Sequence, residues 1–79
     1  MTKQQRPIHV IAKEIRNDWK KIYFGALPYL DAMYDIDSIN EKYGDDSAKS
    51  IVTYFLCNAT SWRGEVAREI KKELNQLIK

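Results

Sequence analysis

The sequence predicts an all-α domain, a compact bundle of about four helices of which one is short. Three observations carry this. Apolar residues recur at steps of three and four along most of the chain, the period of a helix face. Glycine and proline fall between those stretches or at their edges. No stretch shows the period of two that a half-buried strand needs.

The first helix is expected over 7–22. Pro7 suits the first helical position, where its missing N–H would go unpaired anyway. Ile8, Ile11, Ala12, Ile15, Trp19 and Ile22 then fall on one face, and Lys13, Glu14, Arg16, Asn17, Lys20 and Lys21 occupy the rest. Gly25 interrupts. Pro28 reads as the start of a second, shorter helix with Leu27, Leu30, Met33 and Tyr34 inward. Between them Tyr23 to Pro28 forms an aromatic-rich corner, with Gly25 there for backbone conformation or for close packing. Asp37 or Ser38 can cap a short third helix carrying Ile39 and Tyr43, with Gly44 at its left-handed end.

Asp45, Asp46 or Ser47 can cap the next helix. Its wide apolar face of Ala48, Ile51, Val52, Phe55, Leu56 and Ala59 marks it as the most buried, and this longer helical period overrides a strand reading of Val52 to Phe55. Asn58 to Ser61 breaks the pattern, and Thr60 or Ser61 can cap the last helix. Its inner stripe is Val66, Ala67, Ile70, Leu74, Leu77 and Ile78. Gly64 weakens its first turn by roughly 1 kcal/mol against Ala, which suggests close approach of a neighbour.

A chain of 79 residues makes one domain. Residues 1–6 are expected to be a disordered polar tail and 7–79 the helical domain. With 44% hydrophobic and 30% charged residues, the domain is not intrinsically disordered. The single thiol, Cys57, rules out an internal disulfide and is expected to be a small buried hydrophobe. No stretch reads as a secretory leader, and no run approaches the roughly 18 apolar residues of a membrane span. A cytoplasmic setting without membrane association is therefore expected. The net charge of +2 is too weak to argue for nucleic acid by itself, but 1–24 carries +4, 25–48 carries −5 and 49–79 carries +3. An acidic middle can pair with basic ends, or the surface can be bipolar and steer a partner.

The residues of catalysis are sparse. The one histidine, His9, reads as structural or surface, and no CxxC, HExxH or EF-hand spacing exists. The three glycines are isolated, so no phosphate-cradling loop is present. The carboxylate pairs Asp35 with Asp37 and Asp45 with Asp46 lie at turns and helix starts, where capping accounts for them. No enzyme, metal or cofactor is expected.

Binding chemistry remains. Tyr23, Tyr29, Tyr34, Tyr43, Tyr54 and Trp62 exceed what the core stripes require. Tyr23, Phe24, Tyr29 and Trp62 are the candidates for a surface that docks a protein partner. Arg16 and Lys20 on the first helix, with Arg68 and Lys72 on the last, would make a basic stripe for nucleic acid if the two helices lie side by side. Self-association is a further route to stability for a chain this short.

Several strings also carry a resemblance. Asn17-Asp18-Trp19 leads to Tyr23-Phe24-Gly25-Ala26 and Pro28-Tyr29-Leu30, and Asn58-Ala59-Thr60-Ser61-Trp62-Arg63-Gly64 runs on to Ile70-Lys71-Lys72-Glu73-Leu74. Together these resemble a family of small proteins carried by prophages and conjugative elements of Gram-positive bacteria, a family without an assigned activity. The resemblance spans most of the chain after Pro7. It implies a cytoplasmic accessory role in a mobile element and assigns no functional residues.

Overall fold

A computed structural model describes residues 6–44 and 46–79. Helix α1 spans Ile8–Asp18, and a 3-10 turn over Phe24–Ala26 runs directly into α2, Leu27–Met33. A minimal antiparallel hairpin follows, with β1 over Lys42–Tyr43 and β2 over Asp46–Ser47. Then come α3, Ala48–Cys57, and α4, Glu65–Leu77. The fold is all-α, as the periodicity predicts.

All four helices feed one core. Ile8, Ile11, Ala12 and Ile15 come from α1, and Leu30 and Met33 from α2. Ile51, Val52 and Phe55 come from α3, and Ala67, Ile70 and Leu74 from α4. The connections add Trp19, Ile36, Ala59 and Trp62.

Helix α1 ends four residues short of the expected limit. Trp19 leaves helical geometry at φ −88° and ψ 93°, yet its N–H still bonds the Ile15 carbonyl at 2.8 Å. Its ring turns into the core, stacks on Trp62 at a centroid separation of 5.7 Å and meets Phe55 edge-on. Stacked and edge-on aromatic pairs add to simple burial. They hold Trp19 inward after the helix has stopped. The start of α1 is satisfied by the chain that follows α2: the N–H groups of Ile8 and His9 donate to the carbonyls of Asp37 and Ile36 at 3.0 and 2.8 Å. These are two of the donors that every helix start leaves unpaired.

The short third helix does not form. The Glu41 carboxylate accepts from the Ser38 N–H at 3.2 Å, and the Ser38 hydroxyl accepts from the Asn40 N–H at 3.2 Å. Such side-chain bonds to nearby backbone compete with helix formation. Gly44 does take the left-handed region, at φ +63°, but in the hairpin turn instead of at a helix end. Ser47 caps α3, accepting from the Ser50 N–H at 3.1 Å, while Asp45 lies outside the described residues. The cap position of α4 is Gly64 and not Thr60 or Ser61, because the intervening turn carries Trp62 into the core. Gly64 sits at φ +115° with nothing within 4 Å of where a Cβ would be. Its role is backbone conformation, and no neighbour approaches it. Val66, expected on the inner stripe, is exposed. The expected tail lies outside the described residues except for Arg6, which is half-buried and clasps Glu73 on α4 with two hydrogen bonds of 3.0 and 2.7 Å.

Candidate functional site

The aromatic surplus is divided between core and surface. Phe24, in the 3-10 turn, is 76% exposed, and its ring lies 4.9 Å from that of Tyr23, which is 46% exposed. A second pair sits beside them. Tyr29 on α2 is half-buried against the core, and its ring centroid is 5.5 Å from that of Tyr54 on α3, itself 49% exposed.

Gly25 and Asn58 join the two pairs. A Cβ on Gly25 would meet the Tyr23 ring at 2.5 Å and the Asn58 Oδ1 at 3.0 Å. Asn58 in turn donates from Nδ2 to the Tyr54 carbonyl at 2.9 Å. Gly25 therefore lets the corner pack closely on the end of α3, where a side chain would displace the Tyr23 ring or the Asn58 amide. The result is a ridge of Tyr23, Phe24 and Tyr54, backed by Tyr29.

Trp62, expected on this surface, is instead 2% exposed. Its indole N–H donates to the Asp18 Oδ2 at 2.8 Å, so its polar tip is satisfied inside the fold. Trp62 belongs to the core. Tyr54 takes its place on the ridge. The signal was present in the sequence, because Tyr54 lies off the apolar stripe of α3 formed by Ile51, Val52 and Phe55. Cys57, expected to be buried, is exposed on the last turn of α3.

The basic stripe is not assembled. Arg16 pairs with Asp31 on α2 at 3.0 Å, and its guanidinium lies 5.4 Å from the centre of the Tyr34 ring. The side of α1 that faces α4 carries Glu14 instead, which shares Arg6 with Glu73. At roughly 100° per residue, Arg16 lies about 200° around the helix from Glu14. Lys20 is exposed beyond the end of α1, while Arg68 and Lys72 are on α4. The four cations therefore do not share a face.

The groove between α1 and α4, about 610 Å³, is lined by both signs, including Arg6, Lys72, Glu14, Glu69 and Glu73. Glu73 first and Glu14 second hold the Arg6 guanidinium in its charged form. His9 is engaged with Asp37, with 2.8 Å between Nε2 and Oδ1. Among the described residues no cluster of three or more His, Cys, Asp or Glu is placed to hold a metal. No helix among them is long and apolar enough to cross a membrane.

Compared with models of protein families, with curated proteins and with solved structures, the chain has no significant match.

Proposed function

We propose that this chain is a non-enzymatic protein-interaction module that docks a partner through the ridge of Tyr23, Phe24 and Tyr54. The observation that carries the reading is Phe24, a large apolar ring 76% exposed within an aromatic group. Covering a Phe side chain is worth about 1.5–3 kcal/mol, and the free chain forgoes that gain. Aromatic anchors of this kind supply much of the energy of protein interfaces. The resemblance of the sequence to proteins of prophages and conjugative elements supports an accessory role in a mobile element. The lone thiol supports a cytoplasmic setting.

The test is affinity capture from a bacterial lysate with the wild-type chain and with Phe24→Ser combined with Tyr54→Ser. Both side chains are exposed, so the variant keeps the wild-type helical circular dichroism. A protein captured by the wild type, retained after nuclease treatment and lost by the variant supports the ridge. Identical captured proteins from both chains remove the ridge as the docking surface.

A further inference from the structure

A shallow pocket of about 280 Å³ opens where the turn before α4 meets that helix, lined by Trp62, Arg63, Gly64, Ala67, Arg68 and Lys71. Three of these residues are cations and none is an acid. No carboxylate among the described residues lies within ion-pair distance of any of the three, whereas Arg6 and Arg16 are both paired. Lys71 is held in place: its ammonium donates to the Trp62 carbonyl at 2.6 Å and lies 5.8 Å from the centre of the Trp62 ring. Burial first, and the charge of Arg63 second, lower its pKa.

We propose that this pocket binds a single phosphate-type oxyanion, either inorganic phosphate or the terminal group of a phosphomonoester, through Arg63, Arg68 and Lys71. Two guanidinium groups offer the forked donors that match a tetrahedral oxyanion, and Lys71 adds a point charge with donors to spare. Gly64 has no side chain to close the mouth, and no side chain caps the first N–H groups of α4. These backbone features add to the site, which stands on its three cations.

The occupant is one phosphate and not a nucleic-acid backbone, because Arg16 and Lys72 do not join the three cations of the pocket. Arg16 is engaged on α2, and Lys72 lines the other groove beside Glu69 and Glu73. Tracking a backbone requires a run of phosphate contacts.

The experiment is an amide NMR titration at constant ionic strength, with inorganic phosphate and with phenyl phosphate as probes and sodium chloride as the control. Saturable shifts centred on Glu65, Val66, Ala67 and the Trp62 indole are expected. Arg63→Gln with Arg68→Gln is expected to weaken binding by about tenfold or more. Both arginines are exposed, so the unliganded spectrum of the variant stays close to the wild type away from the substitutions. The tighter of the two probes identifies the source of the phosphate. Shifts that chloride reproduces, that fail to saturate or that survive the double substitution overturn the proposal. So does tighter binding of a single-stranded oligonucleotide with a steep loss of affinity in salt.

Discussion

Trp62 and Phe24 are both large aromatics in connecting segments, and their truncation to Ala is expected to have opposite outcomes. Trp62→Ala opens the stack with Trp19 and leaves the Asp18 carboxylate without its indole partner. Truncating a buried ring of this size costs about 3–5 kcal/mol, a large part of the roughly 5–15 kcal/mol that holds a domain together. Phe24→Ala touches an exposed ring and is expected to stay within about 0.5 kcal/mol of the wild type. Urea unfolding of the two variants checks both, and comparable losses would remove the division into core and ridge. This division is not legible locally. Trp62 packs in the core on Trp19 and Phe55, and its polar tip is satisfied there by Asp18, 44 residues away in sequence, which accepts its indole N–H. Gly64→Ala tests the backbone alone, since no atom beyond the adjoining residues lies within 4 Å of the added methyl. Its conformation, φ +115° with ψ 180°, is one that essentially only Gly adopts. A loss of about 1–3 kcal/mol is expected, read as a lower urea midpoint at unchanged slope.

At the scale of elements, helical periodicity reports which residues are buried and not where the backbone stops being helical. Trp19 continues the inward stripe of α1 after the helix has ended, so the sequence reading overran. The stretch from Asp37 to Gly44 failed for a different reason. Its Asp, Ser and Gly are the residues of helix caps and also those of turns, and Glu41 bonding back to Ser38 decides between the two. Helix α3 was legible because four buried residues and a Ser cap agree. Helix α4 is tied to the preceding turn by Lys71, which gives it a pH signature. The folded chain holds the Lys71 ammonium below the ordinary lysine value of 10.5, so it releases this proton before the unfolded chain does. Below the folded pKa both states are protonated and the desolvation cost of the partly buried ammonium is present in full. Between that pKa and 10.5 the unfolded state binds more protons, so stability rises with pH in that window. Lys71→Met is expected to lack this rise. Urea midpoints of both chains, measured across the window, check it, and parallel curves would contradict it.

For the molecule as a whole, every helix contributes to one core, and two tryptophans from separate connections meet in it. Among the described residues no helix has a second core of its own. Unfolding is therefore expected to be a single cooperative transition. Tryptophan fluorescence and far-ultraviolet circular dichroism should give coincident urea curves, and two separated midpoints would show that part of the bundle folds independently. The segmental charges sort themselves at the same scale. The acidic middle meets the basic N-terminal segment at Asp31 with Arg16, and Asp37 contacts His9. The basic C-terminal segment keeps Arg63, Arg68 and Lys71 unpaired among the described residues.

Cys57 gives the ridge a practical chemistry. It is exposed, adjoins Asn58, and is the sole thiol of the chain. In aerated buffer two chains can be joined through it, three residues from Tyr54 on the same helix, and such a covalent dimer would complicate any test of the proposed docking surface. Under reducing conditions the same sulfur is a ready point of attachment. A thiol-linked photocrosslinker placed there, without any mutation, would be a direct probe of the proposed docking surface beside Tyr54.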